Sequence, residues 1–234
     1  MKLAIMQPYF FPYIGYFQLI NSVDRFVIYD DVNFIKQGWI NRNKLLVSGK
    51  EYLFSIKLQD ASSFRLIKDT EIHDNFYERW KTKFIKSIEI NYKSAQYFRS
   101  VSNMVEDVLN SESRYISKLA TNSLKAVCNY LEIKTSFIDT SSNYQNNHLS
   151  GQDRILDICK KEEASHYINS KGGIELYSKN DFREQGTILH FLSPKPTEYR
   201  QFKNNFVPWL SIIDVLMFNS PPQVREMLDK YELL

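Results

Sequence analysis

The stretch that most constrains this chain is residues 7–13, which contain Pro8 and Pro12. A short apolar run at residues 3–5 comes just before it and predicts a buried strand. Each proline lacks an amide donor and fixes its own φ, so neither a strand nor a helix can continue through this stretch. The sequence therefore predicts a strand, then a stiff aromatic loop, then a helix that begins only after Pro12.

A second apolar strand is predicted at residues 25–29, and it ends in Asp30 and Asp31. Two strands joined by a helix form a parallel βαβ unit, and open parallel sheets bind ligands beyond the carboxyl ends of their strands. Adjacent residues of a strand point to opposite faces. We therefore expect only one of the two aspartates to face a site, where it could hold a magnesium ion, accept a proton or bind the hydroxyl groups of a sugar or ribose. A turn or a helix cap is the alternative reading.

The rest of the chain alternates between strand and helix patterns. A β-hairpin with a four-residue turn is expected near residues 44–56, because a short Gly-containing turn joins two β-rich runs, and one more short strand at residues 66–72. Apolar residues recur with helical spacing over residues 75–131. Further strands are predicted at residues 135–138, 166–168 and 187–192.

These elements predict an α/β fold, a Rossmann-like and mainly parallel sheet sandwich with an inserted α-helical subdomain. The α/β domain comprises residues 1–74 and 132–234, and the helical subdomain residues 75–131. The segments at residues 7–16, 30–42 and 170–173 are expected to converge on one cleft at the carboxyl edge of the sheet.

Composition excludes several classes of protein. With 234 residues, 43% hydrophobic and 24% charged, the chain is expected to be neither disordered nor a membrane span, and no apolar run approaches the ~20 residues of a transmembrane helix. No signal-peptide core is present, so we expect a cytoplasmic protein. A net charge of +3 without a basic stripe gives no support for nucleic-acid binding. The four histidines and two cysteines lack metal-ligand spacing, and no metal site is predicted.

The opening of the chain resembles the WbqC-like protein family. The family pattern has a Gln-Pro loop rich in aromatic residues, a strand ending in Tyr-Asp-Asp-Val and a Trp-x-Asn-Arg-Asn segment, which stand here at residues 7–16, 29–32 and 39–43. Members of the family look like products of surface-polysaccharide (O-antigen) gene clusters. The resemblance thus implies a role in O-antigen or lipopolysaccharide biosynthesis.

The candidate site combines aromatic planes, amides, a guanidinium and a small-residue loop. A guanidinium fork suits a pyrophosphate, and main-chain amides after a strand can bind an anion. The predicted substrate-binding residues are Gln7, Tyr9, Tyr13, Tyr16, Asn33, Trp39, Asn41, Arg42, Ser170, Gly172 and Gly173. The predicted catalytic residues are Asp30 and Asp31.

Together, the residues and the resemblance predict a transferase that acts on a nucleotide-linked amino sugar, by acyl or aminoacyl transfer to the sugar amine. The donor would be a thioester of acyl carrier protein or coenzyme A, and a homo-oligomer is left open. One alternative is a non-catalytic sugar- or nucleotide-binding module of a polysaccharide assembly complex. The other is a nucleotidyltransferase-like enzyme, because Tyr13 and Tyr16 have the spacing of its His-x-Gly-His motif. Tyrosine, however, cannot supply the positive charge of a histidine near neutral pH.

Overall fold

A computed structural model describes residues 1–195, 197–203 and 205–234, so Pro196 and Asn204 lie outside the described residues. In chain order the strands are β1 (Lys2–Met6), β2 (Arg25–Ile28), β3 (Arg42–Val47), β4 (Lys50–Ser55), β5 (Ser136–Ile138), β6 (His166–Ser170), β7 (Ile188–Pro194) and β8 (Tyr231–Leu233). The α-helices are α1 (Ile14–Asn21), α2 (Asp74–Tyr92), α3 (Phe98–Asn110), α4 (Ile116–Tyr130), α5 (Gly151–Lys161), α6 (Lys179–Glu184), α7 (Ile212–Phe218) and α8 (Pro221–Leu228).

Six of these strands form one sheet in the spatial order β5-β2-β1-β6-β7-β8. Neighbouring strands from β5 to β7 are parallel, and β8 pairs with β7 in the antiparallel direction. The chain adds strands first on one side of β1 and then on the other, so the strand order reverses between β1 and β6. This is the strand order of a Rossmann fold, and it confirms the predicted α/β class. The segments that follow β1 and β6 flank the point where such sheets bind ligands.

The sheet is buried on both faces. Ala4 of β1 belongs to the core on one face, together with side chains of α1, α2, α3, α4, α7 and α8. Leu3 and Ile5 belong to the core on the other face, which α5 and α6 cover. Because successive side chains of a strand point to opposite faces, a strand covered on both sides must be apolar throughout. This accounts for the short, continuous apolar runs of the sequence.

Helices α2, α3 and α4 lie in sequence between the hairpin and β5. Phe84 of α2 and Leu124 of α4 are buried in the same cluster as Ala4 of β1 and Phe26 of β2. The three helices therefore share a continuous core with one face of the sheet. The assignment of residues 75–131 to a separate subdomain stays a prediction.

Two local predictions were wrong. The hairpin turn consists of two residues, Ser48 and Gly49, and not of four. Their φ angles of 50° and 76° are both positive, as a type I′ turn requires, so the second strand already begins at Lys50. At residues 66–72 a 3₁₀ turn, Ile67–Asp69, replaces the expected strand, because only isolated bridges form there.

A buried carboxylate, Asp214 in the first turn of α7, joins several parts of the fold. Tyr92, Tyr199 and Gln201 donate hydrogen bonds of 2.7, 2.6 and 2.8 Å to its oxygens. The Tyr92 hydroxyl also accepts a hydrogen bond of 2.7 Å from the amide of Leu46. Burial raises the pKa of Asp214 above its usual value, although the three donors oppose the shift. The network thus ties α2 and β3 to α7.

Replacing Tyr92 tests this network. Tyr92→Phe leaves the buried Leu46 amide without its acceptor and removes one donor to Asp214, so we expect the free energy of unfolding to fall by about 1–3 kcal/mol. Tyr52→Phe, on the exposed side of β4, should stay within about 0.5 kcal/mol of wild type. Urea denaturation of both variants measures the difference. Equal stability of the two variants would show that the network contributes little.

Candidate functional site: an aromatic cleft beside the first loop

The loop between β1 and α1 is held by hydrogen bonds to distant elements. The amide of Phe11 donates to Oγ of Ser123 in α4 at 3.0 Å, and the carbonyl of Pro12 accepts from the amide of Ile212 in α7 at 2.8 Å. Phe11 has a φ of 41°, in the left-handed region that a bulky residue adopts only when its surroundings impose it. The Phe10 and Phe11 side chains are fully buried. The loop is therefore a rigid support.

A cleft of about 210 Å³ opens beside this loop, and we call it the aromatic cleft. Its lining residues are Tyr9, Pro12, Tyr13, Trp39, Asn43, Lys44 and Trp209. The structure thus brings together three of the predicted site residues, Tyr9, Tyr13 and Trp39. Burial raises the pKa of both tyrosines above the usual value, so their hydroxyls stay protonated at neutral pH. The cleft offers aromatic planes beside groups that can donate and accept hydrogen bonds.

The position of the Tyr13 ring depends on Gly15. A Cβ atom at Gly15 would collide with the Tyr13 ring and would lie 2.8 Å from Cγ of Pro194. The same ring packs edge-on against Trp209, with 5.8 Å between the ring centroids. The absence of a side chain at Gly15 therefore lets Tyr13 fold back over the start of α1, where it forms one wall of the cleft.

Besides Pro12, three lining residues were missing from the predicted site. Asn43 is 5% exposed, and its amide donates to the carbonyl of Phe11 at 2.8 Å. Lys44 pairs across the hairpin with Glu51 at 2.8 Å. Trp209 is 60% exposed and has a φ of 60°. The Trp-x-Asn-Arg-Asn segment was a signal for Asn43, whereas nothing in the motifs pointed to Trp209.

The side chains of Arg42 and Asn41 are bonded to the protein itself. Arg42 donates through Nε to the carbonyl of Gly38 at 2.7 Å and through a second nitrogen to the carbonyl of Gln37. Its guanidinium carbon lies 5.5 Å from the ring centroid of Trp39. Asn41 donates to the main chain just after β4 at 2.8 Å. This geometry favours a role in which Arg42 and Asn41 support the loop that carries Trp39, rather than direct contact of Arg42 with a pyrophosphate.

Asp31 forms a buried ion pair with Arg154 of α5. The nitrogen and oxygen are 2.6 Å apart, and the two side chains are 6% and 4% exposed. Arg154 also donates to Asn146 at 2.9 Å and lies 5.1 Å from the ring centroid of Tyr29. The hydroxyl of Ser141 donates to the same carboxylate. The geometry favours a structural role for Asp31 over the predicted catalytic one.

Asp30 points towards the first turn of α4. Its carboxylate accepts hydrogen bonds from Ser117 at 2.9 Å, Thr140 at 2.7 Å and the amide of Ser141 at 3.3 Å. Burial nevertheless raises the pKa of Asp30 above its usual value. Asp30 borders a second cavity, whose lining differs from that of the aromatic cleft. The two aspartates thus contact different helices, Asp30 the start of α4 and Asp31 the helix α5, although both carboxylates also accept from Ser141.

Other predicted residues lie outside the lining of the aromatic cleft. Tyr16 is 3% exposed, and its hydroxyl donates to the carbonyl of Gln7 at 2.6 Å, which favours a packing role. Asn33 is exposed and forms an isolated bridge with Leu66. The expectation of one common cleft is therefore met only in part.

The predicted anion loop is the start of a 3₁₀ helix, Lys171–Leu176. The amide of Ser170, which precedes it, donates to the side chain of Asn169 at 2.7 Å. Gly173 is buried, and a Cβ there would lie 2.6 Å from Nδ2 of Asn169, whereas Gly172 is exposed. The close approach of Asn169 therefore explains why position 173 is a glycine, and this explanation needs no bound ligand.

Comparison with known proteins gives the family. The model of the WbqC-like protein family matches residues 7–226. This chain belongs to the WbqC-like protein family. It is 28% identical over 231 residues to the uncharacterized protein Rv1507c of Mycobacterium tuberculosis (strain ATCC 25618 / H37Rv), and the alignment covers 97% of each chain. No solved structure matches.

Within residues 1–195, 197–203 and 205–234, no group of three or more His, Cys, Asp and Glu side chains is placed to hold a metal ion. In the same part of the chain, no helix is both long and apolar enough to cross a membrane.

The packing of the Tyr13 ring against Gly15 gives a stability prediction for this WbqC-like protein. Alanine normally gains about 1 kcal/mol over glycine within a helix. For Gly15→Ala we expect the reverse, a loss of about 1–3 kcal/mol, because overpacking against Tyr13 and Pro194 outweighs helix propensity. At Gly172 an added Cβ would meet only Oγ of Ser170 at 3.8 Å, so Gly172→Ala should be nearly neutral. Denaturant titrations compare the two, and a gain in stability for Gly15→Ala would contradict the packing argument.

The buried ion pair gives a second prediction. Arg154→Ala leaves the Asp31 carboxylate buried without its partner, so a loss of about 3–5 kcal/mol is expected. Lys195 and Glu232 form an exposed pair, with side chains 53% and 59% exposed, and Lys195→Ala should cost at most about 1 kcal/mol. Thermal and urea unfolding measure both variants. A similar cost for the two would mean that Arg154 is not a structural anchor.

Proposed function

We propose that this WbqC-like protein binds a nucleotide-linked sugar in the aromatic cleft and acts on it as a transferase in surface-polysaccharide (O-antigen) biosynthesis. The observation that carries the proposal is the cleft itself, which Tyr9, Tyr13, Trp39 and Trp209 line together with the polar residues Asn43 and Lys44. Aromatic planes pack against the apolar face of a sugar ring or stack on a nucleobase, and the polar groups bond its hydroxyls and carbonyls. The pathway is supported by the resemblance to the family.

The dimensions of the cleft support binding of one ring rather than a whole nucleotide sugar. Its volume of about 210 Å³ is below the roughly 300–1,000 Å³ of pockets that enclose a drug-sized ligand. We therefore expect one ring of the ligand to enter and the remainder to extend along the rim. Lys44 is part of the lining, and its ammonium pairs with Glu51 at 2.8 Å. We propose that this ammonium exchanges its exposed partner for a phosphate of the ligand. It takes the role that was predicted for Arg42.

The proposed reaction is acyl or aminoacyl transfer to a sugar amine. The sugar nitrogen attacks the thioester carbonyl, a C–N bond forms, the C–S bond breaks and the thiol of acyl carrier protein or coenzyme A leaves. The ammonium must first lose a proton, and Asp30 is the carboxylate proposed to accept it. Its raised pKa makes it a stronger base than an ordinary aspartate.

A non-catalytic binding module is the second candidate, and the geometry of the carboxylates favours it. Asp31 is held by Arg154, and Asp30 borders a cavity other than the aromatic cleft. Both candidates share the aromatic cleft, so they differ only in whether chemistry follows binding. Nucleotidyl transfer has less support, because the hydroxyl of Tyr16 is buried against the carbonyl of Gln7 and cannot donate to a phosphate.

Tryptophan fluorescence tests the binding proposal, because Trp39 and Trp209 lie in the cleft. Titration with UDP-glucosamine and other nucleotide-linked amino sugars should give a saturable change in the wild type. Trp39→Ala should weaken binding by about five- to hundredfold, since a ring stacked on an aromatic side chain is worth about 1–3 kcal/mol. Tyr52→Ala removes an exposed ring outside the cleft and should leave affinity unchanged. If none of the sugars binds, or if both variants bind as the wild type does, the cleft is not the site.

Release of thiol from an acyl thioester in the presence of the bound sugar then separates the two candidates. Thiol release that Asp30→Asn abolishes, with affinity retained, supports the transferase. Binding without thiol release in the wild type supports the module.

A further inference from the structure

A second cavity, of about 130 Å³, lies where β2 and β5 end and α4 begins. We call it the α4 cavity. Its polar lining includes Asp30, Lys68, Tyr115, Ser117, Lys118 and Thr121. It shares no lining residue with the aromatic cleft. The cavity lies at the carboxyl edge of the sheet, where parallel sheets bind ligands.

Thr121 is a lining residue of this cavity whose hydroxyl lacks an evident hydrogen-bond partner. It is 2% exposed, and its hydroxyl has no hydrogen-bond partner among the described residues. Leaving a buried hydroxyl without a partner destabilises the fold, and a valine of similar shape would avoid that cost. A hydroxyl that lines a polar cavity without a protein partner indicates that something else bonds it.

The charges around the cavity favour a negatively charged partner. Lys68 donates to the hydroxyl of Ser142 at 3.0 Å, and Lys118 is exposed and forms no ion pair with another described residue. Asp139, also in the lining, is neutralised by Lys125 at 2.5 Å. Two ammonium groups therefore face one carboxylate, that of Asp30.

The first turn of α4 adds to this positive potential. The helix has 15 residues, and its N-cap residue, Tyr115, provides no side-chain cap. The first amides of a helix have no acceptor within the helix and carry the positive end of its dipole. The amide of Ile116 already donates to the carbonyl of Thr70 at 3.0 Å, and the Asp30 carboxylate already accepts three hydrogen bonds. The lysines, Thr121 and the amides of Ser117 and Lys118 are therefore the groups left to contact a ligand.

We propose that the α4 cavity binds a small oxyanion, a phosphate or the phosphoryl group of a larger ligand. The volume is enough for one such group with a water molecule, and helix N-termini with flanking lysines are suited to phosphate. The proposal does not depend on sugar binding in the aromatic cleft. A nucleotide-linked sugar, coenzyme A and free phosphate share this chemistry, and competition distinguishes them.

Equilibrium dialysis with labelled inorganic phosphate, at constant ionic strength, is the test. The wild type should bind one phosphate per chain. Lys118→Gln should weaken binding at least tenfold, and Thr121→Val at least threefold with no loss of stability. Lys86→Gln, which removes an exposed helical lysine of α2, is the matched control and should bind as the wild type does. Displacement by UDP-glucosamine or by coenzyme A would identify the source of the group, and displacement by neither supports free phosphate.

Three results would overturn the proposal. One is the absence of saturable phosphate binding, and another is equal affinity of Lys118→Gln and Lys86→Gln. The third is a loss of phosphate binding in Trp39→Ala, because the anion would then lie in the aromatic cleft. Failure of sugar binding with intact phosphate binding would remove the proposed function and leave this site in place.

Discussion

The carbonyl of Phe11 accepts two hydrogen bonds, from the side chain of Asn43 at 2.8 Å and from that of Ser211 at 2.6 Å. With the bond from its amide to Ser123, the main chain of this one residue is joined to β3, α4 and the N-cap of α7. These partners hold Phe11 in a left-handed conformation that a free chain rarely adopts. The wall of the aromatic cleft that this loop forms is held in place for this reason, and under the proposed function a ligand would meet that wall already ordered.

Much of the fold followed from local patterns. The prolines at 8 and 12 and the apolar runs located β1, α1 and β2, and the strands of the parallel sheet were recognisable because they are buried on both faces. The antiparallel strand β8 and the short helix α6 were not expected. Residues 231–233 are half-buried or exposed, so their apolar content is too weak a signal, and six residues are too few to show a helical period.

The candidate site was only partly predictable, because the partners of its residues are distant in sequence. Tyr9, Tyr13 and Trp39 meet in one cleft as expected from their place at a strand edge. The ion pair of Asp31 with Arg154 spans 123 positions, and no local pattern reveals it. Trp209 reaches the cleft through the tertiary fold alone. The residue types at a strand edge thus predicted where a site could lie. Whether each side chain is free to contact a ligand depends on its contacts with residues distant in sequence, which local patterns do not show.

Contacts between residues distant in sequence also determine when the loop between β1 and α1 can take its final form. Ser211 follows Phe11 by 200 positions, and Gln18 of α1 donates to main-chain carbonyls 209 and 212 positions further on. Contacts of such separation form only after a large entropic cost of loop closure has been met. During translation the loop is made about 200 residues before Ser211, so it must wait for this partner. The cleft can therefore assemble only after the segment around Ser211 has been made, and until then the aromatic side chains of the loop lack the packing that shields them from aggregation.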